Sequence, residues 1–196
     1  MTLGLLPMQR AVFLDRDGVI NEGGQINRPE EVIVYPNAAR AIVRLKAAGF
    51  AVVVATNQGG LGEGFDGQVL WRHAPLDRQN LDAIHAEMLR QLGPGAEPDL
   101  VKVCPHATFL NCNCRKPKPG LLRSAARELG LDMASSFMVG DRTTDLEAAV
   151  AAGVQPILVL TGEGELARKL WEGNAPVVDG IGEAAELILS GGRVPA

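Results

Sequence analysis

The sequence predicts an α/β fold with a doubly wound parallel sheet. Five short apolar segments alternate along the chain with longer segments that have the periodicity of amphipathic helices, and this alternation is typical of a parallel sheet covered on both faces. The apolar segments contain few polar residues, as expected for strands buried on both sides. Three of them end in acidic or hydroxyl-bearing residues, and in this fold class such strand ends form the edge where ligands bind.

The expected strands follow one another at intervals that leave room for a helix between most of them. Each is dominated by Val, Ile, Leu, Ala, Phe or Met and is bounded by polar residues, glycine or proline. The five segments cover residues 11–14, 50–55, 100–103, 137–139 and 156–160.

Five helices are expected between and after these strands. Asn37 is a favourable N-cap for the first, in which apolar residues recur at helical spacing until Gly49, where a helix can end. Gly93, Gly130 and Gly153 mark the ends of the next three. The predicted helices cover residues 38–48, 77–92, 119–129, 144–152 and 182–189. The glycine-rich segment 57–76 is longer than an ordinary loop, which indicates a functional or mobile connection.

Length and composition limit the classes of protein to which the chain can belong. With 196 residues, 46% of them hydrophobic, it can close one sizeable core, so residues 1–196 are expected to form a single domain. A net charge of -4 without a cluster of basic and aromatic residues argues against nucleic acid as a partner. No apolar stretch is long enough for a membrane span, and residues 1–9 lack the basic start of a leader. We therefore expect a cytoplasmic enzyme.

The first candidate site is the sequence Asp15-Arg16-Asp17-Gly18, directly after the first strand. Two carboxylates at this spacing repel each other, so a bound cation or a shifted pKa is expected, and Mg²⁺ prefers oxygen ligands. One carboxylate can attack as a nucleophile while the other, if protonated, acts as a general acid. A solvated Asp-x-Asp-Gly turn or a calcium loop is the alternative interpretation.

Polar residues also follow the second and fourth strands. Thr56 and Asn57 offer a hydroxyl and backbone N–H groups that can hold phosphoryl oxygens, although an ordinary β–α turn also explains them. Asp141 would complete a metal site with the first two carboxylates. Asp145 follows four residues later and can either cap the next helix or orient Lys116.

A cationic segment, Arg115-Lys116-Pro117-Lys118, precedes the third helix. Lys116 can neutralise charge on a transferring phosphoryl group, and Arg115 can bind a second anionic or polyol part of a substrate through its forked donors. Solvated cations in a proline-rich loop are the alternative.

The three cysteines lie within one short stretch that also contains a histidine. Cys104, His106, Cys112 and Cys114 supply three thiolates and one imidazole, and a closed set of four such ligands is typical of structural zinc. An odd number of cysteines argues against a disulfide framework. Residues 104–114 are therefore expected to form a zinc loop that positions the cations after it. Buried free thiols or a strained Cys-x-Cys disulfide are the alternatives.

Together these segments resemble the four signatures of the haloacid dehalogenase superfamily. The signatures, over residues 11–160, are Asp15-x-Asp17-Gly18, Thr56-Asn57-Gln58, Lys116 and Gly140-Asp141-x-x-x-Asp145. The sequences Cys104-Pro105-His106 and Cys112-x-Cys114-Arg115-Lys116-Pro117 narrow the resemblance to a zinc-bearing branch without a cap domain. That branch includes the D-glycero-D-manno-heptose 1,7-bisphosphate phosphatases and the histidinol-phosphate phosphatases.

The resemblance implies an Mg²⁺-dependent phosphomonoesterase that acts through an aspartyl-phosphate. Asp15 would attack phosphorus, and Asp17 would protonate the leaving alkoxide and then activate water. Mg²⁺ would be bound by the side chains of Asp15 and Asp141 and by the backbone carbonyl of Asp17. Thr56 and Lys116 would hold the phosphoryl group. The residues implied to contact the substrate are Gly23, Gly24, Gln25, Ile26, Asn57, Gln58, Gly59, Arg115 and Arg142.

By the same resemblance, the substrate is expected to be a small phosphorylated sugar or polyol. The short zinc loop and the residues after Gln58 favour histidinol phosphate, whereas segments 132–141 and 160–162 favour the heptose enzymes. Heptose 1,7-bisphosphate is therefore preferred, with histidinol phosphate as the alternative. Other classes remain open: a non-catalytic zinc module that binds a protein, or a dehalogenase that would need neither Asp17 nor Mg²⁺. We expect a monomer.

Overall fold

Six parallel strands form the sheet of this computed structural model, which describes residues 8–71 and 74–191. Two short segments lie outside the described ranges before residue 74: residues 1–7, to which most of the leader prediction applies, and residues 72–73 of the long connection. The strands are β1 (Gln9–Leu14), β2 (Ala51–Asn57), β3 (Leu100–Cys104), β4 (Leu131–Gly140), β5 (Gln155–Val159) and β6 (Val177–Val178). Their order in the sheet is β3-β2-β1-β4-β5-β6. The chain thus winds to one side of β1 and then to the other, which confirms the doubly wound fold.

Six α-helices, within the described residues, cover the two faces of the sheet. They are α1 (Ala38–Ala47), α2 (Arg78–Leu92), α3 (Gly120–Leu129), α4 (Thr143–Ala152), α5 (Gly164–Leu170) and α6 (Ile181–Leu189). Short 3-10 helices occupy Pro29–Glu31, Gly59–Leu61 and Thr108–Leu110. In the part of the β2–α2 connection that the structure describes, regular structure is limited to one 3-10 turn and isolated bridges. No separate cap domain is evident among the described residues. None of the helices described is both long and apolar enough to cross a membrane.

The alternation of side chains along β1 explains why its sequence is apolar at every position. Val12 and Leu14 pack with residues of α1, α2 and α6, whereas Ala11 and Phe13 pack with residues of α3 and α4 on the opposite face. All four side chains are fully buried. A strand in this position has no polar face, so its first polar residue, Asp15, marks its carboxyl end.

The structure differs from the predicted elements mainly on the side of β4 and β5. β4 begins at Leu131. Its first half is rich in polar residues, but it is part of the strand because it pairs with the start of β1. The register shifts between Arg10 and Val12, and the Ser136 hydroxyl accepts a hydrogen bond from the Ala11 N–H there. α5 and β6 were not predicted, because both are too short to show a periodicity. Asn37 precedes α1 as expected, but its side chain makes no capping hydrogen bond.

Candidate active site

Three neighbouring strands deliver the candidate residues to one edge of the sheet. β1 ends before Asp15, β2 contains Thr56 near its end, and β4 ends before Asp141. β1 lies between β2 and β4, so the chain reverses its winding direction at this edge, which is where open α/β sheets bind ligands. A cavity of about 940 Å³ opens here, and Asp15, Asp17 and Thr56 are among its lining residues.

Asp15 and Lys116 form a buried ion pair at the floor of this cavity. The Lys116 ammonium lies 2.9 Å from Asp15 Oδ1 and 2.6 Å from Asp145 Oδ1. Burial raises the pKa of Asp15 to about 6; the Lys116 charge opposes this rise, and the charges of Asp145 and Asp17 add to it. Asp145 also accepts a hydrogen bond from the Arg142 N–H at the start of α4, so both roles considered for Asp145, helix cap and lysine partner, are present in the structure.

Asp141 is held in a narrow space between two glycines. Its Oδ2 accepts a hydrogen bond from the Glu163 N–H at 2.9 Å, and a Cβ atom on Gly18 or Gly162 would come 2.1 Å from the same oxygen. Its Oδ1 is buried and has no hydrogen-bond partner among the described residues. Burial, followed by the charge of Asp15, raises the pKa of Asp141 to about 7. A buried carboxylate oxygen without a donor is suited to bind a cation.

The carboxylates that come together are those of Asp15, Asp141 and Asp145, whose oxygens lie within 4.8 Å of one another. This acidic group fits a hard divalent cation such as Mg²⁺. The Asp17 side chain, which we expected to share a metal with Asp15 and Asp141, does not belong to this group. Its carboxylate instead accepts hydrogen bonds from Arg16 Nε and Nη2 at 2.9 and 2.8 Å, from Asn21 at 3.0 Å and from Gln58 at 3.1 Å. These donors hold the side chain away from the other three carboxylates.

The residues after β2 support the site as well as line it. Gln58 Nε2 also donates to the buried Thr56 hydroxyl at 2.9 Å. The Asn57 amide pairs with the backbone of Lys116, donating to its carbonyl and accepting from its N–H, each at 3.1 Å. Asn57, predicted to contact the substrate, therefore fixes the position of Lys116 in this structure. Gln58 and Gly59 line the cavity.

The other predicted substrate contacts are distributed around the cavity mouth. Gly24, Gln25, Ile26, Arg115 and Arg142 line the cavity. Gly23 instead packs against the backbone of Gly162 and Gly18, where an added Cβ would lie 3.2 Å from Gly162 Cα. Gly23 therefore packs beside the two glycines that enclose Asp141.

The cysteine and histidine side chains converge as the sequence predicts. The Cys104 sulfur lies 3.5 Å from that of Cys112 and 3.3 Å from that of Cys114, and His106 Nδ1 lies 3.0 Å from the Cys114 sulfur. Tetrahedral zinc with bonds of about 2.3 Å to sulfur requires separations of roughly 3.8 Å, so this set is close to the size of a zinc site. The three cysteines are not joined by disulfides. Zinc fits these ligands, and this loop leads directly to Arg115 and Lys116.

Three residues that support the site were not identified from the sequence. Arg16 and Asn21 hold Asp17, and Glu163 holds Asp141 through its N–H group. The position of Arg16 between two carboxylates is a signal that could have identified it as their counter-charge. No local signal identifies Glu163, because it meets Asp141 only after β4 and β5 pair.

Comparison with known proteins gives consistent matches. A family model described as "HAD-hyrolase-like" matches residues 113–184. The D-glycero-beta-D-manno-heptose-1,7-bisphosphate 7-phosphatase of Pseudomonas aeruginosa is 41% identical over 184 residues, which are 91% of this chain and 97% of that protein. The protein of the same name from Bordetella bronchiseptica is 38% identical over 187 residues, covering 92% and 98%.

A solved structure matches equally well. The crystal structure of D,D-heptose 1.7-bisphosphate phosphatase from B. bronchiseptica, complexed with magnesium and phosphate, has a TM-score of 0.83 at 36% sequence identity. The match covers 93% of this chain and 99% of that chain.

Proposed function

The chain belongs to the family of the D-glycero-beta-D-manno-heptose-1,7-bisphosphate 7-phosphatases, within the haloacid dehalogenase superfamily. It is therefore a phosphatase, and we propose that it removes the 7-phosphate from that heptose bisphosphate. One observation carries the proposal: the Asp15 carboxylate lies at the cavity floor, 2.9 Å from the Lys116 ammonium and grouped with Asp141. A carboxylate with a cation beside it and a second carboxylate next to it suits in-line transfer of a phosphoryl group.

In the proposed first step, an Asp15 carboxylate oxygen attacks phosphorus and the bond from phosphorus to the sugar oxygen breaks. Asp17, in its protonated form, gives its proton to the leaving alkoxide, which departs as the sugar alcohol. The Lys116 ammonium and the Thr56 hydroxyl steady the phosphoryl oxygens. The product of this step is an aspartyl-phosphate on Asp15.

In the proposed second step, the Asp17 carboxylate takes a proton from water, and the oxygen of that water attacks phosphorus. The bond between phosphorus and Asp15 breaks, which releases inorganic phosphate and returns both aspartates to their starting protonation states. Hydrogen bonds from Arg16, Asn21 and Gln58 hold the Asp17 side chain at the cavity that it lines together with Asp15.

We propose that Asp15 and Asp141 bind Mg²⁺ with their side chains and Asp17 with its backbone carbonyl. The unpartnered Asp141 Oδ1 and the magnesium complex of the B. bronchiseptica relative support this assignment. Bound Mg²⁺ would neutralise charge on the phosphoryl oxygens. Cys104, His106, Cys112 and Cys114 would bind a structural zinc ion in the loop 104–114.

The remaining assignments are proposals of the same kind. Residues 1–196 would form one phosphatase domain with the zinc loop inside it, and the chain would act as a monomer. A cytoplasmic location suits three cysteines that serve as reduced metal ligands.

The test is phosphate release with Mg²⁺ from two substrates, D-glycero-beta-D-manno-heptose 1,7-bisphosphate and histidinol phosphate. We expect kcat/KM to be at least about 100-fold higher for the heptose bisphosphate, since a site that hydrogen-bonds sugar hydroxyls leaves its polar groups unpaired with the wrong substrate. Faster turnover of histidinol phosphate would establish the alternative substrate.

The role of Asp15 is tested by the variant Asp15→Asn, with Asp82→Asn as the matched control. Asp82 is exposed on α2, outside the cavity. We expect Asp15→Asn to lower kcat by roughly 10³-fold or more, because no covalent intermediate can form, and Asp82→Asn to leave it unchanged. If Asp15→Asn keeps full turnover, the proposed mechanism is wrong.

A further inference from the structure

Two of the cavity walls differ in their chemistry. One wall comes from the segment that follows the zinc loop, with Arg115 and Lys118, and the other comes from the start of α4 and from α5. The sheet order places β3, which precedes the zinc loop, and β5, which precedes α5, on opposite sides of β1. These two walls therefore flank the reacting carboxylate from opposite sides.

The zinc-loop wall has cations available for an anion. Arg115 Nη1 is buried and has no hydrogen-bond partner among the described residues. Among the residues that the structure describes, the Lys118 ammonium donates only to the Asn111 carbonyl, which lies in the zinc loop. This wall can bind an anionic group of a substrate without first breaking an ion pair between its cations and a carboxylate.

The α5 wall instead carries a paired cation and an apolar surface. Arg142 Nη2 lies 2.6 Å from Glu163 Oε1, and about half of each side chain is exposed. Leu166 and Leu170 line the same side of the cavity and are 54% and 62% exposed. This wall offers hydrogen-bond donors, a carboxylate acceptor and C–H surface, a combination that suits a polyhydroxylated carbon chain.

Glu163 is held at a fixed place relative to the reacting groups. Its N–H group donates to Asp141 Oδ2, and the preceding Gly162 packs against Gly18, where an added Cβ would lie 2.7 Å from Gly18 Cα. The Glu163 side chain thus projects from a backbone position that is tied to the proposed metal site. A substrate bound there would meet its carboxylate in a reproducible geometry.

We propose that Glu163, together with Arg142, binds hydroxyl groups of the sugar and directs the second phosphate to the opposite wall. The proposal rests on the sugar bisphosphate activity proposed above. A carboxylate accepts hydrogen bonds from hydroxyl groups but repels a phosphate, so Glu163 provides both an attractive and a repulsive element of specificity. An exposed ion pair contributes little to stability, so hydroxyl groups can insert into it at little cost.

The test compares Glu163→Ala with Glu165→Ala on two substrates, the heptose 1,7-bisphosphate and p-nitrophenyl phosphate. Glu165 is also on α5 and also pairs with an arginine, Arg168 at 3.1 Å, but it does not line the cavity. We expect Glu163→Ala to raise KM for the heptose bisphosphate about tenfold, the loss of a hydrogen bond to a charged group, with kcat within about twofold. KM for p-nitrophenyl phosphate, which has no hydroxyl groups, stays unchanged, and Glu165→Ala changes neither.

Two further measurements separate the explanations. Glu163→Gln keeps an acceptor oxygen and is expected to raise KM less than Glu163→Ala does. Both variants keep the backbone N–H that holds Asp141, so Mg²⁺ binding followed by calorimetry should match the wild type. An unchanged KM for the heptose bisphosphate in Glu163→Ala overturns the inference. A lowered KM overturns it too, because Glu163 would then be masking Arg142 from the second phosphate.

The outcome also separates this inference from the proposed function. Wild-type protein that hydrolyses p-nitrophenyl phosphate but not the heptose bisphosphate refutes the proposed substrate and this inference with it. Wild-type turnover of the heptose bisphosphate with no effect of Glu163→Ala refutes the inference alone.

Discussion

Asp145 Oδ1 lies 2.6 Å from the ammonium nitrogen of Lys116, and both side chains are buried. Burial by itself lowers the pKa of Lys116, but the charges of Asp145 and Asp15 outweigh it and raise the pKa above its ordinary value. Lys116 therefore stays charged in the core. Asp145 also accepts a hydrogen bond from the Arg142 N–H. Its carboxylate therefore links Lys116, which follows the zinc loop, to the start of α4.

The variant Asp145→Asn should lose much of its stability, because it removes a counter-charge from a buried lysine. We expect the free energy of unfolding to fall by about 3 kcal/mol, as when one partner of a buried ion pair is removed, measured by urea unfolding. Glu147→Gln, exposed on the same helix, should change it by less than about 0.5 kcal/mol. Equal stability of the two variants would show that the pair is dispensable.

The stability of the metal-free protein should fall as pH rises. Burial raises the pKa of Asp15 to about 6 and that of Asp141 to about 7, both above the ordinary aspartate pKa of 3.8. The folded protein therefore binds protons more tightly than the unfolded chain, and this contribution to stability, complete below pH 3.8, is lost as pH rises through 6 and 7.

Mg²⁺ should counteract this loss, because it binds the ionised carboxylates. We expect the increase in Tm on adding Mg²⁺ to be larger at pH 8 than at pH 5.5, measured by differential scanning fluorimetry against samples with EDTA. Asp141→Asn removes one of the two carboxylates and should make the increase small at both values. An increase of the same size at both pH values in the wild type would contradict this account.

Replacing one zinc-loop cysteine should release the metal and loosen the loop. Cys112→Ser is expected to lower the zinc content, measured by atomic emission, from about one per chain to near zero, and to lower Tm, because a structural zinc contributes directly to folding. Asn113→Ser places serine at the exposed position next to it and should keep both values. Full zinc content in Cys112→Ser would exclude this ligand set.

The variant Gly162→Ala should damage the metal site beyond its effect on the backbone. Gly162 has φ of +60°, and a Cβ would lie 2.1 Å from Asp141 Oδ2. Gly130 has φ of +67° with nothing within 4 Å of its Cβ position, so Gly130→Ala should cost only the left-handed strain, about 1 kcal/mol. We expect Gly162→Ala to cost more and to weaken Mg²⁺ binding at least about tenfold by isothermal titration calorimetry. Equal effects of the two variants on stability and on Mg²⁺ affinity would mean that the contact with Asp141 is unimportant.

Local sequence patterns were sufficient to predict a residue's position in the fold where its environment depends mainly on its own segment. The burial of β1 on both faces leaves an apolar run that ends at Asp15, and the spacing of cysteine and histidine between residues 104 and 114 predicts their convergence. Asp141, directly after an apolar strand, was found in the same way. These signals are visible in sequence because periodicity and strand ends are properties of neighbouring residues.

What the sequence determined by itself was the α/β class, the edge of the sheet that carries the chemistry and the residue types gathered there. Only the tertiary structure decided that Asp145 joins Asp15 and Asp141 while the Asp17 side chain turns to Arg16, Asn21 and Gln58. It also decided that Glu163 supports Asp141 and that the polar first half of β4 is a strand. The physical reason is that side-chain rotamers and long-range hydrogen bonds depend on partners far along the chain, which meet only when the strands pair.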